Sequence, residues 1–265
     1  MDLFARRELV KQKIAEKGSV LIAFSGGVDS SLLAVLAREA LGAKSRCVFL
    51  DSPLVPRAAI AEAEDIARKH GLELEIISLN IMDDELFCAN PADRCYRCKK
   101  KSAVILKRRS GELGFTCIAD GMNISDTGEH RPGLAASAEE GIMHPFIEAS
   151  ISKADIRTLA RDMGLMFWNK PSAACLASRI PYGDEITQEK LHMVEEAEAF
   201  LHMVGFSQVR VRVHRNIARI EVPKEDMNKI ISIHPDVTTT LKSIGFSYVT
   251  LDIEGYRSGS MDEIL

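Results

Sequence analysis

The sequence predicts an α/β fold: a doubly wound parallel sheet with a smaller C-terminal α+β domain. Three observations lead there. Short apolar runs alternate with longer segments whose apolar residues recur at helical spacing. A glycine-rich turn, Ser25-Gly26-Gly27, follows the first apolar run directly and precedes a helical pattern. Past Pro181-Tyr182-Gly183 the pattern changes, and one segment alternates strictly between apolar and basic residues.

Residues 3–17 read as a helix, 20–24 as the first strand and 30–40 as the helix after it. Residues 45–50 are the second strand, stopping at Asp51-Ser52-Pro53. Residues 56–70 are rich in Ala and Glu and end at Gly71, which suits a helix C-terminus. Residues 74–79 form a third strand. Residues 115–119 form another, leading into the loop Asp120-Gly121-Met122-Asn123. A helix over 152–163 is closed by Gly164. Strands alternating with helices predict a parallel sheet with its ligand at the carboxyl ends of the strands, and the glycine-rich turn lies at such an end. This first domain is expected to span 1–183.

The second domain, 184–265, reads αββαβ. It has a helix over 187–204, with Thr187 and Lys190 supplying half of a capping box. A strand over 208–214 follows, then one over 218–222, a helix over 224–233 and a strand over 248–253. Val209, Val211 and Val213 share one strand face; Arg210, Arg212 and His214 share the other. The alternation predicts a sheet with one face toward solvent. No internal repeat or low-complexity stretch is visible.

At 265 residues and 46% hydrophobic composition, the chain is long enough for a large core. Its net charge of −4 argues against a non-specific nucleic-acid binder. No run approaches the length of a membrane span. The charged N-terminus lacks an apolar signal core, so a cytoplasmic protein is expected. Six cysteines in such a chain point to reduced thiols or metal ligation, not a disulfide framework.

Residues 24–31, FSGGVDSS, order a strand, a glycine turn and a helix start. That order makes a nest of backbone N–H groups suited to pyrophosphate. Asp29 fits an anion site only if a cation such as Mg²⁺ accompanies the phosphates. The string lacks the Gly-Lys-Ser/Thr ending of a Walker A loop and is not G-x-G-x-x-G. It resembles the PP-loop of ATP pyrophosphatases, whose fold is the adenine nucleotide α-hydrolase type. On that basis Ser25, Gly26, Gly27, Asp29 and Ser30 are expected on ATP, with Asp29 also catalytic through Mg²⁺. Ser52 would border the adenine. Asp120, Gly121, Asn123 and Asp126 would position ATP or metal; a plain turn is the other reading of that loop.

Cys95 and Cys98 form a C-x-x-C, a metal half-site or a redox pair. Cys47 and Cys117 lie in apolar strand patterns and read as core residues. Cys88 has no motif around it. Cys175 stands in KPSAACLASRIPYG, near Arg179; it reads equally as a reactive thiol or a structural one.

The strings SGGVDS, NPADRCYRCKK, DGMNISD, HRPG, KPSAACLASRIPYG, QVRVRVH, ARIEV and YVTLDIEGYRSGSM together resemble the LarE family. Its members are ATP-dependent sulfur transferases that mature the nickel-pincer nucleotide cofactor of lactate racemase. The resemblance implies pyridinium-3,5-biscarboxylic acid mononucleotide as substrate, with one carboxylate adenylated and an oxygen replaced by sulfur. One version of the family sacrifices the sulfur of a cysteine matching Cys175. The other holds a [4Fe-4S] cluster on that cysteine and a C-x-x-C. With Cys95, Cys98 and Cys175 all present, this chain resembles the cluster-bearing version, in which an open iron carries sulfide from an unidentified donor. The resemblance further implies phosphate binding by Arg210 and Arg212, with Ser178 and Arg179 as further substrate contacts, and a homo-oligomer touching through the smaller domain. Two other functions compete with this one. Some PP-loop tRNA thiolases combine three cysteines with a [4Fe-4S] cluster. A nucleotide- or cluster-binding sensor without turnover is the alternative of another class. Amidating enzymes such as NAD or GMP synthetases fit less well, because no glutaminase-type segment is visible.

Overall fold

A computed structural model describes residues 1–128, 132–171, 175–257, 259–261 and 263. His130 and Arg131 of the HRPG string, Ser172 to Ala174 of the KPSAAC segment and Ser258 lie outside the described residues. The chain forms two compact units: Met1–Ile81 with Asp93–Ala173, and Met82–Ala92 with Ala174–Leu265.

In the first unit α1 (Leu3–Ala15), β1 (Val20–Phe24), α2 (Val28–Leu41), β2 (Ser45–Asp51), α3 (Arg57–Lys69) and β3 (Leu74–Ser78) follow in order. The short α4 (Glu85–Cys88) belongs to the second unit. The chain then returns through α5 (Arg94–Leu113), β4 (Ile118–Ala119), α6 (Pro132–Glu139), α7 (Pro145–Glu148) and α8 (Lys153–Asp162). The four strands are parallel, in the order β3-β2-β1-β4, with helices on both sides. The strand period of two explains why both faces are covered. Val20, Ile22 and Phe24 pack into a core with Val10 and Ile14 of α1, Leu33 of α2, Ala63 of α3 and Leu159 of α8. Leu21, facing the other way, packs with Val48, Ile118 and the α5 residues Ala103 and Leu106. Strand order reverses at β1, so the loops after β1 and β4 flank the crevice where ligands bind in such sheets.

The first unit departs from the predicted elements at α5 and β4. Residues 94–113 form a 20-residue helix that the apolar pattern did not reveal. Its run of lysines and arginines leaves only Ala103 and Leu106 as buried apolar anchors. The strand expected over 115–119 is two residues long, because Phe115 is tied to Ser110 at the end of α5.

The second unit contains α9 (Gln188–Met203), β5 (Arg210–His214), β6 (Ile217–Glu221), α10 (Met227–Ser232), α11 (His234–Ile244) and β7 (Tyr248–Leu251). Thr187 caps α9 by accepting from the Lys190 N–H at 3.2 Å. β5 pairs antiparallel with β6, and β6 parallel with β7. The order is αββααβ, not αββαβ. Pro235 breaks the run after Ser232 and opens α11, where its missing N–H costs nothing. Residues 174–183, grouped by sequence with the first domain, cluster with the second unit. Asn90 is the reason: its side-chain amide donates to the carbonyls of Ile180, Pro181 and Asp184 at 3.3, 2.7 and 2.9 Å, and its own carbonyl accepts from Gly183 N–H at 2.9 Å. Among the described residues no helix is long and apolar enough to cross a membrane.

Candidate active site

The turn between β1 and α2 is built as its sequence requires. Gly26 has φ 67°, and a Cβ there would stand 3.0 Å from the Ala63 Cβ on α3, so both backbone sign and space call for glycine. The Ser30 hydroxyl accepts from Ser25 N–H at 3.1 Å and donates to the Gly27 carbonyl at 3.2 Å. The Ser25 and Ser30 hydroxyls lie 3.0 Å apart. Among the described residues Gly27 N–H reaches only Ser25 Oγ, at 3.4 Å, a long bond that an anion readily replaces. Gly27 is the N-cap of α2, which leaves the helix's first N–H groups turned to the loop.

The loop after β4 meets this turn. A Cβ on Gly121 would lie 2.7 Å from Ser30 N and 2.8 Å from the Asp29 carbonyl carbon, so the two backbones are in direct contact. Asn123 is buried, accepting from Ser125 N–H at 3.1 Å, and its own N–H donates to Asp126 at 2.9 Å. Asn123 and Asp126 therefore shape the turn. Ser52 is buried at the carboxyl end of β2, where its hydroxyl accepts from Leu54 N–H at 3.3 Å.

Lys99, His144, Lys153 and Lys170, which the sequence reading did not single out, cluster with Asp120, Asp29 and Gly26 in this unit. Lys153, the first residue of α8, donates to Asp29 Oδ2, while Asp29 Oδ1 is buried with no hydrogen-bond partner among the described residues. Lys170 donates to the Gly26 carbonyl at 2.9 Å and pairs with Glu62 at 2.6 Å. Asp120 is buried, with Lys99 at 3.1 Å and His144 Nδ1 at 2.7 Å. Burial pushes the Asp120 carboxyl up, but Lys99 and His144 outweigh it and bring its pKa down to about 2. The only local signal for Lys153 was its place after the capping serine Ser152; for Lys99, Lys170 and His144 there was none.

Cys95 and Cys98 are the second and fifth residues of α5, three apart and so on one helix face. Cys95 is exposed and Cys98 half-buried. Cys175, in the second unit, is exposed and starts the 3-10 turn Leu176–Arg179. Burial pushes the Cys47 thiol up to about 12 and also raises Cys117, which suits them to packing, not chemistry. Among the described residues, no group of three or more His, Cys, Asp or Glu side chains is arranged to hold a metal ion.

The arginine stripe on β5 is not a solvent face. Arg210 and Arg212 are 8% and 5% exposed, and Arg179 is 2% exposed. Arg179 forks onto Glu198 at 2.9 and 2.8 Å and donates to the Cys175 carbonyl and Ser178 Oγ. Arg212 forks onto the fully buried Glu221 at 3.0 and 2.8 Å and donates to the Ser178 carbonyl at 2.9 Å. Arg210 packs over the Tyr256 ring. Burial, then the neighbouring Arg179, hold its pKa below the ordinary guanidinium value. The 176–179 turn with Tyr256, Ser260 and Met261 covers what alternation alone reads as an open face: Ser260 bonds Arg212 and Glu221, and Met261 is buried. Ser178, Arg179, Arg210 and Arg212 thus meet in one polar cluster within the second unit.

Comparison with known proteins agrees with this architecture. Residues 3–93 match the NAD synthase family. The chain is 36% identical over 247 residues to pyridinium-3,5-bisthiocarboxylic acid mononucleotide synthase of Lactiplantibacillus plantarum, covering 93% of this chain and 90% of that protein. It is 38% identical to an uncharacterised protein of Synechocystis, covering 99% of each. A glutamine-hydrolysing GMP synthase of Clostridium botulinum is 27% identical over 75% of this chain but only 42% of its own length. The PP-loop geometry and the near-full-length identity to the bisthiocarboxylic acid mononucleotide synthase place the chain in the LarE family of ATP-using PP-loop sulfur transferases.

Proposed function

We propose that the chain converts pyridinium-3,5-biscarboxylic acid mononucleotide to its thiocarboxylate at the expense of ATP. The 36% identity to the named synthase over 93% of the chain carries this reading. The geometry supports the chemistry. A carboxylate oxygen of the substrate attacks the α-phosphorus of ATP and pyrophosphate leaves. The β1–α2 nest suits that leaving charge. The buried, unpartnered Asp29 Oδ1 fits a Mg²⁺ ligand, with Lys153 able to move from Asp29 to phosphate. A sulfur nucleophile then attacks the acyl carbon, and AMP departs. Ser25, Gly26, Gly27 and Ser30 serve the phosphates in this reading. Ser52, Gly121, Asn123 and Asp126 shape the walls around the nucleotide. The Ser178, Arg179, Arg210 and Arg212 cluster takes the substrate phosphate. Arg179, Arg210, Arg212 and Arg219 gather there, and a planar guanidinium fork suits phosphate oxygens.

Cys95 and Cys98 on one helix face, at a helix N-terminus, suit a half-site for a [4Fe-4S] cluster, and the exposed Cys175 is the third thiolate of this reading. When bound, such a cluster would supply sulfide that does not come from the chain. Self-association through the C-terminal unit belongs to the same reading. Arg210 and Arg212 are buried, so β5 presents no exposed arginine pair to a tRNA backbone.

Two variants test this. Asp29→Ala should lower AMP and pyrophosphate formation by on the order of 100-fold or more, the scale of a lost electrostatic contact to the transition state. An unchanged rate would remove the nucleotide site from the turn. Cys95→Ser should lose iron, acid-labile sulfide and repeated turnover together, measured anaerobically with product mass spectrometry. Repeated turnover without iron would refute the cluster, and conversion of wild-type Cys175 to dehydroalanine would assign the sulfur to the protein. Binding of ATP without any AMP formed would leave a sensor.

A further inference from the structure

The two glycines of the turn share one peptide plane, and its orientation decides whether the nest attracts or repels phosphate. A trans peptide points its C=O and N–H in opposite directions. With the Gly26 carbonyl turned toward Lys170, Gly27 N–H points the other way, to the side of Ser25 Oγ. A peptide between two glycines flips at little steric cost, because neither residue has a Cβ to oppose it. The flipped form would present a carbonyl oxygen to the pyrophosphate. Lys170 is the cation on the far side of that plane: largely buried, 2.9 Å from the Gly26 oxygen and anchored by Glu62 at 2.6 Å. Its own backbone is fixed as well, since Arg157 of α8 donates to the Trp168 and Lys170 carbonyls at 2.9 and 2.8 Å. Ala63, one residue past Glu62 on α3, closes the space beside Gly26.

We propose that Lys170 is a positioning residue that locks the Gly26–Gly27 peptide with its N–H toward the phosphates. The proposal rests on the nucleotide-binding reading above. It assigns no contact between Lys170 and ATP; the lysine acts through the peptide.

The test is binding of pyrophosphate, ATP and adenosine to the full chain by calorimetry, with the Gly27 amide followed by NMR in glycine-labelled protein. Lys170→Met is expected to weaken pyrophosphate and ATP by roughly 10- to 100-fold, the range for a lost hydrogen bond to a charged group, and to leave adenosine within about twofold. Lys170→Arg should recover most of the loss, and it also serves if the methionine variant does not fold. In wild type the Gly27 amide resonance should shift on adding pyrophosphate; in Lys170→Met it should not, even at saturation. Unchanged affinity in a folded Lys170→Met variant would overturn the proposal. So would weakened affinity with a normal Gly27 shift, which would make the lysine a direct phosphate ligand. Failure of wild type to bind ATP or pyrophosphate would instead overturn the nucleotide reading itself.

Discussion

Gly121→Val is expected to abolish AMP and pyrophosphate formation while the protein stays folded. The added Cβ would stand 2.7 Å from Ser30 N and 2.8 Å from the Asp29 carbonyl carbon. Both neighbours are backbone atoms at the start of α2, so no side-chain rotation relieves the clash. The loop after β4 and the N-terminus of α2 must separate, and the groups around the phosphates move with them. A displacement of about 1 Å at a reacting centre costs on the order of 100-fold in rate. An assay of ATP-dependent AMP release checks this, with the circular dichroism melt as folding control. A wild-type rate would mean that the two loops stand apart in solution.

Glu221→Ala should cost more stability than any substitution on the exposed face of α5. Glu221 is fully buried and accepts from Arg212 Nε and Nη2, from Arg219 and from Ser260. Removing it leaves Arg212, itself 5% exposed, without the carboxylate that neutralises it. Breaking a buried pair from one side typically costs about 3–5 kcal/mol. Urea denaturation should show that loss as a fall in midpoint at constant slope. Inorganic phosphate should recover part of it, by supplying the missing negative charge. A loss below about 1 kcal/mol would show that water reaches these guanidiniums.

The parallel sheet was legible because its strands are buried on both faces and read as continuous apolar runs, as Val20 to Phe24 do. The helix over Arg94–Leu113 was not, since Ala103 and Leu106 are too few apolar anchors to stand out among its lysines and arginines. Alternation in β5 correctly separated the valines from the arginines, but period alone does not say what lies over each face. The 176–179 turn with Tyr256, Ser260 and Met261, distant in sequence from β5, turns the arginine face into an interior. The same limit applies to Pro181-Tyr182-Gly183, which punctuates the chain as a boundary would, yet is held within the second unit by Asn90.

What the sequence determined alone is what short stretches of chain can specify. Residues 24–31 contain both the glycine with positive φ and the hydroxyls that brace it, so the phosphate-binding turn follows from local dihedrals and hydrogen bonds. The eight strings that identify the family are likewise contiguous. Tertiary structure decided the partners. Lys153 meets Asp29 across 124 residues, and Lys170 meets Gly26 across 144. A lysine carries no periodic or steric signature of its destination. Its partner is chosen by how helices pack on the sheet, and that packing exists only once the whole core has formed.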